Sequence, residues 1–497
     1  MRFPHAALLL LLCAAPSAVF AARGGDWKVV YGSSEGPEGL ALEVLTETAG
    51  DLGLLREADN SSQHVLPLER AGSRRPVAGK RNRILVGRPA DNPELARLAA
   101  PSGVPRGGYL IRDFMETPSN RTVVVAGDTP AAVLWGVFDL VDVVREDIRP
   151  CVDGIAGTYP QRYFSYSLVR PFERRVAPCG DEVRSLFAWG HQIDDFRLSF
   201  REMARMRLTR VVLWNLHPPV NAREVVEFAH RCGLEVYWGF AWGWTPARCR
   251  DAPTDDLGAL SDAIVSEWRE VWRPIGGDGI YFQSFTEQFK AKIGDRLISE
   301  MVVELVNRTA ARIRAEAPGL DIVFGLHATS VKDDLATIAR TDPGLEILWE
   351  DCGGFPFRSF GETPSVETME AILSTSPRAG LALKGQLAAD WTVWPQPAGP
   401  YALGCAGREA LEFDRRMAAP KQFEYQEIWR TRGEEALRFV RSMRAAKVRP
   451  MEWNVVAGNN PPYAFSTWLL AEMFWNSDDG YEAISRRALL RASQPVR

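Results

Sequence analysis

From about residue 165 onward, short apolar runs alternate with longer amphipathic stretches. The runs are "SLVRPF" (167–172), "RVVLWN" (210–215), "EVYWGFAWG" (235–243), "DGIYFQSF" (278–285), "DIVFGLH" (321–327), "LEILWED" (345–351), "LALKGQL" (381–387) and "MEWNVV" (451–456). Each has the length of a strand, and all but "LALKGQL" carry β-branched or aromatic residues. Between them, 192–206, 221–232, 256–272, 295–316, 364–375 and 427–446 repeat apolar residues at helical spacing. Eight strands alternating with helices predict an α/β fold of the (β/α)8 TIM barrel type over about 165–475. An open doubly wound sheet competes, but no strand opens a GxGxxG-type phosphate loop.

Ahead of the barrel, residues 24–150 read as a separate small α/β domain. "DWKVVYG", "RILVGRP", "GGYLIRD" and "RTVVVAGD" are its strands. Residues 37–55 and 130–144 are its helices, the second with Pro130 at its start. Residues 476–497 form a C-terminal tail. Residues 1–21 read differently: Arg2, an apolar run, then small residues around Val19-Phe20-Ala21. That is the pattern of a cleaved signal peptide, and it predicts a secreted or periplasmic protein. No later run is long and apolar enough to span a membrane.

Charge narrows the partners. The formal net charge is −4, so no basic field invites nucleic acid or anionic lipid. The cysteines left after processing include no CxxC pair, and Cys232–Cys249 is one disulfide an oxidising compartment would allow. The six histidines are scattered and no HExxH occurs, so no metal or other cofactor is expected. Sixteen tryptophans supply apolar faces suited to ring-shaped ligands.

Barrel chemistry collects at the C-terminal ends of the strands. Those ends offer Arg170, then Asn215 and His217, then Trp242 and Trp244, then Gln283 and Glu287. They continue with His327, then Trp349, Glu350 and Asp351, then Lys384, Asp390 and Trp391, then Trp453 and Asn454. Carboxylates interleaved with aromatics suit glycoside hydrolysis, which needs two carboxyl groups flanking the scissile bond. Glu287 lies just past the fourth run, near Gln283, Ser284 and Thr286, side chains able to hold a carboxyl in place. It is the expected general acid, with aromatic neighbours to desolvate it. Glu350 and Asp351 are adjacent and face opposite ways in a strand. Asp351 shares its parity with Ile347 and Trp349 and is favoured as the partner carboxylate; Glu350 and then Asp390 are the alternatives. Arg170 and Lys384 would suit a uronic acid carboxylate.

Two further features carry a family resemblance. "ILVGRP", "GGYLIRD" and "RTVVVAGDTPAAVLWGVFDLVDVV" resemble the domain preceding the barrel in family 20 β-hexosaminidases and family 67 α-glucuronidases. "GHQIDDFRLSFREMARMRLTRVVLWN" resembles the start of their barrels. The resemblance implies an O-glycosyl hydrolase acting on carbohydrate. Family 20 enzymes end strand four in Asp-Glu. Here Glu287 matches the second position and Thr286 stands at the first, which removes the Asp that polarises an N-acetyl group. Family 67 enzymes pair a strand-four Glu with carboxylates of strands six and seven, to which Glu287, Asp351 and Asp390 correspond. The competing expectation is a non-catalytic glycan-binding protein on the same scaffold, and the sequence sets no oligomeric state.

Overall fold

The structure, a computed structural model, describes residues 27–49, 66–80, 82–117, 120–153, 172–242, 256–286, 290–350, 365–385, 400–404, 423–424, 426–458 and 464–494. The proposed signal segment therefore lies outside the described residues, as do Arg170, Trp244, Glu287, Asp351, Asp390 and Trp391.

The N-terminal unit contains β1 (Trp27–Tyr31), α1 (Gly36–Glu47), β2 (Leu68–Arg70), β3 (Asn82–Gly87) and α2 (Pro93–Ala99). It continues through β4 (Tyr109–Thr117), β5 (Asn120–Gly127), α3 (Pro130–Asp153) and β6 (Phe172–Val176). Its six-stranded sheet runs in the order β2-β1-β3-β5-β4-β6. β4 is antiparallel to both neighbours. The alternating apolar positions of β3 and β5 serve both faces: Ile84 and Val123 join the main core, Leu85 and Val124 a smaller core beneath α2. α2 starts where its local chemistry dictates, with the Asn92 side chain accepting from the Glu94 and Leu95 N–H groups and Pro93 in the first turn.

The barrel strands are β7 (Val183–Trp189), β8 (Arg210–Trp214), β9 (Glu235–Ala241), β10 (Gly279–Gln283), β13 (Asp321–His327), β14 (Glu346–Glu350), β15 (Ala379–Leu383) and β16 (Glu452–Gly458). A two-stranded ribbon, β11 (Lys292–Ile293) and β12 (Arg296–Leu297), follows β10. The eight strands close in the order β10-β13-β14-β15-β16-β7-β8-β9, each pair parallel. The helices among them are α4 (Phe196–Arg205), α5 (Ala222–Arg231), α6 (Leu257–Glu267), α7 (Ile298–Glu316), α8 (Leu335–Ile338), α9 (Val366–Leu373) and α10 (Glu434–Ala445). After β16 come α11 (Phe465–Trp475) and α12 (Tyr481–Ala492). Asp195, Asp256 and Ser365 cap α4, α6 and α9 through their side-chain oxygens.

Two expectations are corrected. The first barrel strand is β7, not 167–172. Phe172 instead opens β6, the edge strand of the N-terminal sheet, where Glu173 and Arg175 pair in register with Arg112 and Leu110 of β4. "FERRV" never becomes buried, as suits a charged edge, whereas "VRSLFAW" is buried through its centre. Cys232 is a buried free thiol, so the Cys232–Cys249 disulfide is not formed. Burial pushes that thiol up to about 12.

Alternation sorts the barrel side chains. Phe187, Val212, Tyr237, Tyr281, Val323, Leu348, Ala382 and Val456 fill the interior. Their neighbours Trp238, Phe240, Phe282, Phe324, Ile347, Trp349 and Trp453 join the main core on the other face of the sheet, toward the helices. Below the interior layer sits a charged floor. Arg210 donates to Glu452 and, at 3.2 Å, to Glu346. Ser185 donates to Glu452, and the Asn454 amide donates to Ser185 at 2.6 Å.

A second charged cluster joins the two units. Arg205 of α4 donates to Asp142 of α3 at 2.7 Å. Arg491 of α12 donates to Asp139 of α3 at 2.9 Å and also to Glu472 of α11. Arg207 reaches Glu472 at 2.5 Å and Arg487 reaches it at 3.0 Å. Burial alone would raise the Glu472 carboxyl, but the Arg207, Arg491 and Arg487 guanidiniums outweigh it and hold the group well below the usual range. Removing one partner of such a buried cluster strands the others without compensation. Glu472→Gln is therefore expected to cost about 3–5 kcal/mol in urea unfolding at neutral pH. Because the folded carboxyl is depressed, its contribution is complete above about pH 4.3 and is lost as the pH falls below that value. The wild-type melting temperature should thus fall steeply below about pH 4.3, and the variant's, already lower, more gently. Parallel curves would show that Glu472 is not the titrating group.

Candidate active site

The strand ends bring four polar side chains together inside the barrel mouth. Tyr281 and Gln283 alternate inward along β10, while His327 closes β13 and Glu350 closes β14. His327 and Glu350 are register partners on neighbouring strands. Lys384 follows the last residue of β15.

Glu350 is the centre of this group, and only 4% of it is exposed. Its Oε1 accepts from the Tyr281 hydroxyl and, at 2.8 Å, from the Gln283 amide. The same amide nitrogen lies 3.2 Å from His327 Nε2, so Gln283 has one N–H for each. The second carboxylate oxygen lies 3.5 Å from His327 Nε2 and 3.8 Å from Lys384 Nζ. A buried carboxylate costs heavily unless donors meet it, and here two neutral donors and a cation do so. The arrangement fixes Glu350 as an acceptor with an oriented, electron-rich oxygen. Such a group can take a proton from water, attack an electrophilic carbon, or stabilise a developing cation.

Tyr281 owes its place to a missing side chain. A Cβ on Gly325, on the neighbouring strand β13, would overlap the Tyr281 hydroxyl and ring edge. The neighbouring strand ends are also tied. Thr286 Oγ1 accepts from the His327 N–H at 3.4 Å, and the Thr286 carbonyl accepts from the Ser330 hydroxyl at 2.7 Å.

The first strand end adds two residues that the sequence reading missed. Trp189 packs against the interior cluster, and His191 stacks on it with ring centroids 6.3 Å apart. Burial lowers the His191 imidazole to about 4. The run "VRSLFAW" before Gly190 was the available signal, since a strand there puts Trp189 and His191 at a barrel end.

Several expected ligand contacts lie elsewhere. Trp242 is fully buried and stacks on Phe282 at 3.5 Å, Phe282 in turn on Phe324 at 4.9 Å. Trp349 and Trp453 are fully buried on the helix-facing side. These three tryptophans build the shell, because they alternate with the inward residues. Asn454 lies on the floor, since β16 continues to Gly458 and its residues 452–454 are the strand's start. Asn215 is buried and structural: its amide donates to the Leu213 carbonyl at 3.0 Å and its oxygen accepts from the Tyr401 hydroxyl. His217 is exposed on the loop beyond β8. The parity that favoured Asp351 is reversed, because Ile347 and Trp349 face the helices while Leu348 and Glu350 face the interior. Among the described residues no cluster of three or more His, Cys, Asp or Glu could hold a metal ion, and no helix is long and apolar enough to cross a membrane.

No protein-family model and no curated protein sequence matches the chain. Among solved structures it is similar to a mutant Streptomyces plicatus β-hexosaminidase in complex with the product GlcNAc. The identity is 11%, over 94% of this chain and 91% of that one, with a TM-score of 0.49. The GH20 β-N-acetylhexosaminidase of Streptomyces coelicolor is 12% identical over 94% of this chain and 92% of its own, with a TM-score of 0.46. A GH138 enzyme targeting pectin rhamnogalacturonan II is 11% identical over 91% of this chain and 64% of its own, with a TM-score of 0.48. The closed barrel is defined by its own hydrogen-bonded register and does not depend on these likenesses.

The clasp on Glu350 predicts a coupled stability effect. Gly325→Ala forces the added methyl against a fully buried tyrosine and should cost about 1–3 kcal/mol in urea unfolding. Tyr281→Ala removes the hydroxyl and the ring carbons that the added methyl would meet, so the double variant should lose less than the sum of the two single costs. Strictly additive costs would show that Gly325 makes no room for Tyr281.

Proposed function

We propose that the chain is an exported glycoside hydrolase, cleaving O-glycosidic bonds of a polysaccharide or glycoconjugate. The observation that carries this reading is the buried Glu350 carboxylate, oriented by Tyr281 and Gln283 at the C-terminal end of a barrel strand. Glycoside hydrolysis needs one carboxylate so held and a second carboxyl to protonate the leaving oxygen. Glu287 is the proposed proton donor. Its chain neighbour Thr286 is tied to His327 and Ser330 at the strand ends beside Glu350, which supports that assignment. Asp351 and Asp390 are the remaining carboxylates for a water-activating role. Export rests on the signal-like pattern of residues 1–21.

The separation of the two carboxyl groups decides the stereochemistry. A gap of about 6.5–9.5 Å admits a water and inverts the anomeric centre, and about 5–5.5 Å gives a covalent intermediate and retention. We favour inversion, because strands four and six of the barrel are not neighbours.

The test is turnover of a panel of aryl glycosides that includes a β-N-acetylglucosaminide, a β-glucoside and a matched glucuronide. At least one should be cleaved. Glu350→Gln should lower turnover of that substrate by roughly 10²–10⁴-fold. Glu287→Gln should do the same where the leaving group is poor, and much less where it departs without protonation. Wild-type rates in both variants would sink the reading. A chain that binds sugars and cleaves none would be the glycan-binding alternative. Lys384 lies close to Glu350, so a preference for the glucuronide would need Arg170 as its main partner; equal rates on glucuronide and glucoside would remove uronic acid recognition.

A further inference from the structure

At the end of β7 the chain doubles back within three residues. Trp189 is partly buried and packs on the interior apolar cluster. Gly190 passes so close to Asn215 that a Cβ there would overlap the amide. His191 then stacks on Trp189, with the two ring planes within 11°. Both His191 ring nitrogens are shielded from solvent, and neither has a hydrogen-bond partner among the described residues.

Buried polar groups are nearly always paired, so two unmet nitrogens on one ring require a reason. Packing does not supply it. A phenylalanine would fill the same space against Trp189 with no polar atom left unmet. Asn215, directly beside the turn, shows the contrast, since its amide is engaged by the Leu213 carbonyl and the Tyr401 hydroxyl. The fold engages the amide and leaves the sheltered imidazole nitrogens unmet.

We propose that Trp189 and His191 form a sugar-binding subsite at the barrel mouth, an assignment that rests on the glycosidase reading. The indole gives an apolar platform to the C–H face of a pyranose ring, and the imidazole nitrogens hydrogen-bond hydroxyls of the bound sugar. Held neutral by burial, the ring offers one N–H donor and one lone pair, which suits hydroxyl groups and not a charged substituent. His191 is thus a specificity-determining residue, separate from the Glu350 clasp.

The experiment is His191→Phe, assayed on whichever aryl glycoside of the panel the wild type cleaves best, alongside inhibition by the corresponding free monosaccharide. The expected result is a loss of about 10–100-fold in kcat/KM, carried mainly by KM, as the loss of one or two neutral hydrogen bonds to the ligand gives. The inhibition constant of the monosaccharide should rise in step. The melting temperature should hold or rise, because the unmet nitrogens are gone. His191→Gln, which restores a donor and an acceptor, should recover part of the KM. A merely structural histidine predicts the opposite: a lower melting temperature with KM and inhibition unchanged. Wild-type KM and inhibition in His191→Phe overturn the subsite while leaving the hydrolase intact. A wild-type chain that neither cleaves nor binds any sugar of the panel overturns the hydrolase reading and the subsite with it.

Discussion

A strand can present only every second side chain to one face, and in a closed barrel that face is either the interior or the helix shell. This alternation governs the whole barrel. With Leu348 in the interior, Glu350 must also point inward and Trp349 must point outward. With Tyr281 inward on β10, Gln283 follows it two residues on, and Phe282 goes to the shell. Register then brings the sets together, since His327 pairs with Glu350 and β10 lies beside β13. A slip of one residue in β14 would bury Trp349 in the mouth and send the carboxylate among the helices. The clasp is therefore a consequence of register as much as of residue identity.

The barrel holds charge at both ends and apolar surface between. At the floor, Arg210 is shared by Glu346 and Glu452, and burial with the neighbouring Glu452 raises the Glu346 carboxyl well above its ordinary range. At the mouth, Glu350 is met by Tyr281, Gln283, His327 and Lys384. The layer of Phe187, Val212, Tyr237, Val323 and Leu348 separates them. In barrels of this kind the lower face serves stability and the upper face chemistry. The contents of the two ends agree with that division. The floor contains a full guanidinium–carboxylate network, whereas the mouth holds its carboxylate mainly with neutral donors.

The barrel was legible in the sequence because its strands are uniform apolar runs separated by amphipathic helices. Seven of the eight observed strands overlap the runs that predicted them. The first was misplaced because 167–172 and 183–189 are both apolar, and only pairing partners show that Phe172 continues the N-terminal sheet. Side-chain direction was less legible. Taking tryptophans as ligand platforms assigned Trp242, Trp349 and Trp453 to the mouth, and the same assumption favoured Asp351 over Glu350. In a barrel wrapped by helices the larger apolar demand is in the shell, so the widest side chains went there. Asn454 was misread for a different reason. The apolar run was cut at Val456, which made the start of β16 look like its end. The Tyr281 hydroxyl, which donates to Glu350, was invisible to a reading that counted the ring only as apolar surface.

The polar groups of the mouth fall into two sorts, and the difference carries functional meaning. Glu350, Gln283 and Asn215 are each held by hydrogen bonds from or to the protein, and each is thereby fixed in direction. His191 directly follows Gly190, which contacts Asn215, and its two buried ring nitrogens are met by nothing among the described residues. Groups satisfied within the fold set geometry before any ligand arrives, so they cost nothing to organise when it does. A group left unsatisfied carries a standing penalty that only a partner of matching chemistry removes. The proposed glycosidase site, which would orient a carboxylate and recognise hydroxyl groups, needs both sorts in one barrel mouth. The first strand end and the sixth, three strands apart around the closed barrel, supply them.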